Sequence, residues 1–232
     1  MFCLNRADGS VRWQQKIAEG DFTKGNNNMA APSPVTDGKA VYVLFGTGDL
    51  AALDFTGRVL WRRNLGAEIG KFSIMWLYGS SPLLFEGKLY VQVLQRNPSA
   101  YTYSADGRPE RDSYLLCLNP TDGKTIWRHV RTTPALEESM ESYTTPMPHG
   151  NGPAASIIVI GGDCVTAHDP ATGAERWRCF GLNPKGDHWR RVVPSPVSCQ
   201  DLVFGCGPKK ESILAIRSDG TGTVTDTHTA WK

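Results

Sequence analysis

The sequence lacks an excess of either charge and lacks any long apolar run. Its 232 residues carry 25 lysines and arginines against 23 aspartates and glutamates, a net charge of +2. A nucleic-acid-binding domain usually has a concentrated basic face, which this balance does not indicate, so we expect no nucleic-acid partner. The longest uncharged apolar stretch, residues 72–85, is too short to span a bilayer and contains Gly79 and Pro82. We therefore expect a globular chain without a transmembrane segment.

Signatures of catalysis and of metal binding are also missing. The six cysteines form no C-x-x-C pair, and the five histidines are scattered without ligand spacing. Gly123-Lys124-Thr125 resembles the end of a phosphate-binding loop, but Leu118 stands where that loop needs a glycine. The sequence has neither G-x-S-x-G nor H-E-x-x-H. We therefore predict no catalytic, cofactor-binding or metal-binding residues, and we expect the cysteines to be small buried side chains.

From the first residues we expect no signal peptide in this sequence, because Met1 leads directly into Phe2-Cys3-Leu4-Asn5 without a basic or a long apolar region. Two explanations are open at this point. The protein is either cytoplasmic or a piece of a longer gene product.

What the sequence does contain is glycine, proline and tryptophan at regular positions. The 24 glycines and 15 prolines are about one residue in six, which disfavours a mainly helical fold. Four segments align, each with an Asp or Asn, then a glycine, then a tryptophan four residues after that glycine. A fifth, degenerate copy ends the chain. The residues that mark the repeat are Trp13, Asp54, Gly57, Trp61, Asn119, Gly123, Trp127, Asp169, Gly173, Trp177 and Trp231.

A second marker, Ser-Pro or Thr-Pro, follows each of the first four repeat tryptophans by 19 to 21 residues. Each period, 48 to 66 residues long, indicates four strands separated by Asp-Gly, Glu-Gly or Thr-Gly turns. Four-stranded units at this period are typical of β-propeller blades. We therefore predict an all-β fold, a propeller of about four four-stranded antiparallel blades plus a partial N-terminal blade, in a single domain over residues 1–232. The predicted blade segments are about 1–17 (partial), 30–65, 80–131, 143–181 and 193–232.

The repeated positions have structural explanations. The Asp or Asn side chain can accept backbone N–H bonds in the turn that follows it. The glycine supplies the positive φ that this turn needs. Each tryptophan is expected to pack its large flat surface between neighbouring blades. These residues are therefore expected to hold the fold and not to perform chemistry.

The pattern of Leu-Asx, Thr-Gly or Asp-Gly, and Trp resembles the tryptophan-docking repeat of pyrroloquinoline-quinone (PQQ)-type propellers. That superfamily includes quinone-dependent alcohol and glucose dehydrogenases, the propeller lipoprotein of the outer-membrane assembly machinery, and exported bacterial PQQ-like proteins. The stretches 165–173 and 193–231 look most like the exported group, so the resemblance implies a periplasmic or extracellular location. The dehydrogenases carry a vicinal cysteine pair near the quinone, and this sequence has none.

Propellers of this family usually have about eight blades, whereas this chain holds four periods. We expect an incomplete ring, completed by the remaining blades of the same propeller. A compact four-blade ring with a spare N-terminal hairpin is the alternative.

Long connections are predicted on one face of the propeller, at residues 62–79, 95–113, 129–143 and 180–192. Loops carry binding more often than strands do, and a mixture of aromatic residues and arginine is typical of contact surfaces. The candidate partner-binding residues in these loops are Trp76, Arg96, Tyr101, Arg108, Arg131, His188 and Arg190. The alternative is that these are ordinary solvated loop residues.

Two functions remain open. The first is a non-catalytic scaffold or binding module that holds a protein or polysaccharide partner, with no cofactor. The second is a fragment of a PQQ-dependent alcohol or sugar dehydrogenase, which would need PQQ and calcium.

Overall fold

The structure, a computed structural model, describes residues 1–20, 22–99, 111–209 and 213–232. Within these ranges the strands form four large, mainly antiparallel sheets and two small hairpins. The predicted all-β fold of four-stranded antiparallel blades is confirmed.

The blades follow one another along the chain. The N-terminal hairpin consists of β1 (Phe2–Leu4) and β2 (Val11–Gln14), and a second small hairpin consists of β3 (Thr23–Lys24) and β4 (Asn27–Asn28). Blade 1 contains β5 (Val35–Thr36), β6 (Val41–Leu44), β7 (Asp49–Leu53) and β8 (Val59–Asn64), and is followed by the short helix α1 (Leu65–Glu68). Blade 2 contains β9 (Leu83–Phe85), β10 (Lys88–Val93), β11 (Tyr114–Leu118) and β12 (Thr125–Val130).

The two later blades have the same order. A 3-10 turn at Glu137–Met140 precedes blade 3. Blade 3 contains β13 (Met147–His149), a 3-10 turn (Gly152–Ala154), β14 (Ser156–Gly161), β15 (Cys164–His168) and β16 (Glu175–Phe180). Blade 4 contains β17 (Val197–Cys199), β18 (Leu202–Cys206), β19 (Ile213–Arg217) and β21 (Thr229–Trp231). Two further elements precede β21, namely β20 (Gly222–Thr223) and α2 (Thr225–His228).

The hydrophobic core lies between successive blades. The third strands β7, β11 and β15 are buried along their whole length, which explains their continuous apolar runs. The fourth strands are only partly buried, as in the alternating exposure of β12. One cluster joins blades 1 and 2, a second joins blades 2 and 3, and a third joins blades 3 and 4. A fourth packs the N-terminal hairpin on blade 1.

Each of the first four repeat tryptophans docks on the turn of the next blade. Their indole nitrogens donate hydrogen bonds to backbone carbonyls as follows: Trp13 to Phe55 at 3.0 Å, Trp61 to Pro120 at 2.7 Å, Trp127 to Pro170 at 3.3 Å and Trp177 to Ser218 at 3.0 Å. The ring lies against the turn glycine, so that a Cβ placed on Gly57 would come within 2.7 Å of Trp13. The glycine is therefore required twice, for its φ of +90° and for this close approach.

The Asp or Asn of each repeat closes its turn as expected. Asp54 Oδ1 accepts from the backbone nitrogens of Thr56 and Arg58 at 2.9 and 3.1 Å. Asp169 Oδ1 accepts from the nitrogens of Ala171 and Thr172 at 2.8 and 2.9 Å. These Asx turns fix the carbonyl that receives the tryptophan of the preceding blade.

The last period departs from the repeat. The insertion after Gly220 places β20 beside β16 in a parallel pair, so that blade 3 gains a fifth strand. Val224, 1% exposed, joins the cluster between blades 3 and 4. Sequence periodicity did not predict this addition, because a parallel two-residue pairing leaves no alternating pattern.

Candidate functional site: the long-loop face

Four connections meet on one face of the propeller, which we call the long-loop face. Three of them join successive blades (residues 65–82, 131–146 and 181–196), and the fourth joins β10 to β11 (residues 94–113, of which 100–110 lie outside the described ranges). The turns on the opposite face are short, as at Glu86-Gly87 and Gln200-Asp201. The long-loop face is therefore the region where side chains from the loops that precede blades 2, 3 and 4, and from the long loop within blade 2, come together.

Glu138, in the 3-10 turn at Glu137–Met140, connects two loops. Its carboxylate accepts a hydrogen bond from Trp76 Nε1 at 3.1 Å. The same carboxylate forms an ion pair with Arg191. Glu138 is 3% exposed, so these contacts with the loop before blade 2 and the loop before blade 4 lie below the surface.

Glu141, one residue beyond that turn, is fully buried, accepts two hydrogen bonds and forms an ion pair with Arg96. Arg96 Nε lies 2.7 Å from Oε1, the backbone nitrogen of Met75 donates to the same oxygen at 3.1 Å, and the Tyr143 hydroxyl donates to Oε2 at 2.8 Å. Burial raises the pKa of Glu141 to about 7, and the Tyr143 hydrogen bond and the Arg96 charge oppose that rise. Arg96 also pairs with Glu137 at 2.9 Å. One buried arginine and two carboxylates thus connect three loops.

The loop before blade 4 is fixed to the same turn. Ser139 donates its backbone N–H to the His188 carbonyl at 3.0 Å, and its hydroxyl oxygen accepts from the Arg190 nitrogen at 2.9 Å. The Tyr143 nitrogen donates to the Val192 carbonyl at 3.0 Å. These bonds leave the backbone of residues 188–192 in a defined position, with Trp189 at its outer edge.

Two clefts open beside this network. The first, about 230 Å³, is lined by Arg96, Asn97, Pro98, Ser99, Leu136, Glu137, Met140 and His188. The second, about 370 Å³, is lined by Asn27, Trp76, Tyr143, Arg191 and Val193. Large apolar side chains stand at their rims with much of their surface in solvent, namely Leu136 at 55%, Val193 at 56% and Trp189 at 44% exposed. The long-loop face therefore exposes apolar side chains above a network of buried polar groups that already have partners inside the chain.

The structure divides the predicted partner-binding residues into three groups. Trp76 is half-buried, with Lys24 and Arg191 at 5.8 and 5.6 Å from its ring centre, while His188 and Arg190 lie beside the first cleft. Arg96 and Arg131 are only 1% and 2% exposed, and Arg96 lines the first cleft, so their contact with a partner stays a prediction. Tyr101 and Arg108 lie outside the described residues.

Arg131 has a structural role inside blade 3. Its guanidinium donates to Thr166 Oγ1 at 2.8 Å and to the Cys164 carbonyl at 3.1 Å. These hydrogen bonds offset the cost of burying the Arg131 charge, and they satisfy polar groups of β15. The sequence does not reveal this burial, because the partners of Arg131 lie more than 30 residues away along the chain.

Leu136 and Tyr143 are residues of the face that sequence reasoning missed. Neither belongs to a repeat marker, and a lone leucine in a loop carries no pattern. The acidic run Glu137-Glu138 was the available signal, because acidic residues beside loop arginines indicate ion pairing.

The described residues do not fit a metal site. In these ranges no group of three or more His, Cys, Asp and Glu side chains is placed to hold an ion. The six cysteines are all free thiols. In the same ranges, no helix is both long enough and apolar enough to cross a bilayer.

A family model described as outer membrane protein assembly factor BamB matches residues 2–230. Among curated proteins, the chain is similar to the outer membrane protein assembly factor BamB of Nitrosomonas eutropha, with 32% identity over 142 residues. That match covers 53% of this chain and 32% of the relative, so the chain matches about a third of the relative's length.

Solved structures show the same fold at low identity. BamB from Moraxella catarrhalis has a TM-score of 0.56 and 16% identity, and the match covers 90% of this chain and 54% of that one. Quinohemoprotein alcohol dehydrogenase from Comamonas testosteroni has a TM-score of 0.59 and 12% identity, with 95% and 38% covered. At these identities the likeness concerns architecture alone.

Proposed function

The chain belongs to the family described as outer membrane protein assembly factor BamB, and from this premise we propose that it is a non-catalytic scaffold that binds a protein partner through its long-loop face. The partner would be another component of outer membrane protein assembly, and the location would be the periplasm. The proposal includes no cofactor.

The observation that carries this proposal is the exposed pair Trp189 and Leu136 beside the cleft at Arg96. The Arg96 guanidinium carbon lies 5.7 Å from the centre of the Trp189 ring, while Arg96 itself is held by Glu141 and Glu137. The tryptophan therefore rests on a fixed base. Tryptophan and arginine dominate binding hot spots, and an anchor that is ordered before binding loses less entropy on association.

A protein partner fits this face better than a polysaccharide. Recognition of a sugar needs free carboxylate or amide groups for its hydroxyls, but Glu138 and Glu141 are already occupied by internal donors. Leu136 and Val193 add exposed apolar surface at the clefts, and Glu137, an exposed carboxylate of the first cleft, is paired with Arg96. Such apolar side chains are complementary to apolar side chains of a protein.

The test is capture of an outer membrane component by immobilised variants of the chain. Trp189→Ala and Leu136→Ala remove the two anchors, and Ile126→Ala is the control because Ile126, 47% exposed, lies on the outer strand of blade 2. With detergent-solubilised bacterial outer membranes, wild type and Ile126→Ala should retain the same assembly component. The two anchor variants should bind it at least about thirtyfold more weakly, as hot-spot substitutions do. Equal retention by all four, or retention of polysaccharide alone, would contradict the proposal.

The alternative, a fragment of a quinone-dependent dehydrogenase, is supported by the shared architecture with the alcohol dehydrogenases. It is tested by adding PQQ and calcium to the chain and following dye reduction with alcohols and sugars. Activity that depends on both additions would favour the alternative over the scaffold.

A further inference from the structure

The loop that carries Trp189 is attached to blade 3 by a residue outside the four long connections. Asp163 lies in the turn between β14 and β15, and the Asn183 side-chain amide donates to both of its carboxylate oxygens at 3.0 Å. Leu182 is fully buried in the cluster between blades 3 and 4, so apolar packing fixes the chain up to that residue. Asn183 is therefore the point from which polar contacts position the loop.

Hydrogen bonds continue from Asn183 to the backbone of Trp189. Asn183 Nδ2 also donates to the Asp187 carbonyl at 2.8 Å, and Asn183 Oδ1 accepts from the Asp187 nitrogen at 3.1 Å. Asp187 Oδ1 in turn accepts from the Trp189 nitrogen at 2.9 Å. The Ser139 hydroxyl donates to the same Asp187 carbonyl, which attaches the loop to the 3-10 turn before blade 3. Asp163 supplies a second polar attachment, to the turn between β14 and β15.

The turn itself does not require an aspartate. Gly161 pairs with Cys164, so Gly162 and Asp163 form a two-residue hairpin loop, with φ values of +58° and +66°. Such loops favour glycine at the second position. Burial also raises the pKa of Asp163 to about 6, and the hydrogen bond from Asn183 opposes that rise. The aspartate is therefore explained by its contact with Asn183 and not by the conformation of the turn.

The position of Trp189 matters because its exposed ring lies near a buried group. The Arg96 guanidinium carbon is 5.7 Å from the ring centre. A partner that contacts this indole binds more tightly if the loop is ordered beforehand, since ordering the loop on association would cost conformational entropy. A residue that orders the loop can thus contribute to binding without touching the partner.

We propose that Asp163 is a positioning residue for partner binding, which holds the Trp189 loop through Asn183 in the conformation that receives the partner. This proposal rests on the function proposed above for the long-loop face. Without the Asp163 carboxylate, the loop keeps its contacts with Ser139 but loses its polar attachment to the β14–β15 turn. The turn can therefore be made more favourable by a substitution that weakens binding, which a purely structural role of Asp163 would not allow.

Three variants separate positioning of the loop from stability of the fold. Asp163→Gly removes the carboxylate and suits the φ of +66°, so the urea midpoint of unfolding should not fall. Asp163→Asn keeps an oxygen that can accept from Asn183 and tolerates a positive φ, so it should behave as wild type does. Gln200→Gly is the matched control, because Gln200 has a φ of +54° in an exposed turn on the opposite face.

Hydrogen exchange followed by mass spectrometry examines the loop without a partner. In peptides that cover residues 183–190, the backbone amides should exchange at least about fivefold faster in Asp163→Gly than in wild type. Asp163→Asn and Gln200→Gly should exchange at the wild-type rate. Unchanged exchange in Asp163→Gly, or an equal increase in Gln200→Gly, would overturn the proposal. A lower urea midpoint with faster exchange throughout the chain would assign Asp163 to fold stability and would overturn it too.

Capture from detergent-solubilised bacterial outer membranes measures the consequence for binding. Asp163→Gly should bind the assembly component at least about tenfold more weakly than wild type, while Asp163→Asn and Gln200→Gly should bind it equally well. Faster exchange in Asp163→Gly with wild-type capture would overturn the proposal where Trp189→Ala weakens capture. If Trp189→Ala leaves capture unchanged, the function proposed for the long-loop face fails, and the role of Asp163 in binding fails with it.

Discussion

At the scale of the residue, the contact of Trp61 with Gly123 shows why the repeat tolerates so little change. The Trp61 ring would lie 2.7 Å from a Cβ at position 123, and the backbone there has a φ of +71°. A side chain at this position is therefore both strained and in collision with the indole.

We expect Gly123→Ala to lower the free energy of unfolding by about 2–4 kcal/mol, from backbone strain and overpacking together. Gly87→Ala in the same blade is the control, because Gly87 has a φ of +68° with nothing within 4 Å of its Cβ position. Urea unfolding of both variants measures the difference. Equal losses of unfolding free energy in the two variants would contradict this, because the collision with the Trp61 indole would then add nothing to the cost of the positive φ.

The buried His168 should make the stability of the protein depend on pH. Its Nδ1 donates to the Gly173 carbonyl at 3.2 Å, and its Nε2 accepts from Thr166 at 2.9 Å, which is the pattern of a neutral imidazole. Burial, followed by the nearby Arg131 charge, lowers the pKa of His168 to about 3. In the unfolded chain the group has its ordinary pKa near 6.5, so the unfolded state binds more protons between these two values.

The His168 contribution to stability should therefore be complete above pH 6.5 and should decline as the pH falls toward 3. The limiting slope is about 1.4 kcal/mol per pH unit. His168→Gln, which has no titrating group at this position, should flatten the pH dependence of the free energy of unfolding between pH 4 and 6.5. The free energy of unfolding, measured by urea titration at several pH values, checks this, and parallel curves for wild type and His168→Gln would contradict it.

At the scale of the element, the 3-10 turn at Glu137–Met140 organises the long-loop face. Arg96, 1% exposed, has two carboxylate partners that differ in burial, since the Glu141 side chain is fully buried and that of Glu137 is 53% exposed. Removing a buried partner leaves an uncompensated charge in the interior, whereas an exposed pair contributes little.

We expect Glu141→Gln to lower the free energy of unfolding by about 3 kcal/mol and Glu137→Gln by less than about 1 kcal/mol. Denaturant unfolding of the two variants provides the comparison. If both substitutions cost the same, the buried network does not hold the loops as described.

The elements also show which features the sequence could predict. Trp61, Gly123 and their equivalents were predictable because a turn and its tryptophan are encoded within a few residues and repeated. Arg96 and Arg131 were predicted as partner-binding residues because they lie in long loops that mix aromatic residues with arginine, whereas their burial depends on partners such as Glu141 and Thr166 in other segments. Such long-range compensation has no local pattern. For the same reason the fifth strand of blade 3 was not predicted.

At the scale of the whole molecule, the chain is a series of blades whose core lies between neighbours, and four connections are held together on the long-loop face. The repeat residues pack in the contacts between neighbouring blades. The repeat therefore identifies the architecture but does not reveal the function. The connections that are held together on one face distinguish the long-loop face from the opposite face, which has short turns. Function is therefore expected where the repeat is interrupted.

The most direct test of partner binding through the long-loop face is site-specific photo-crosslinking in living bacteria. A photoreactive amino acid placed at position 189 should yield an adduct with a component of outer membrane protein assembly, and the same group at position 126, on the outer strand of blade 2, should not. Identical adducts from both positions, or none from position 189 while the chain is folded and present, would contradict the account.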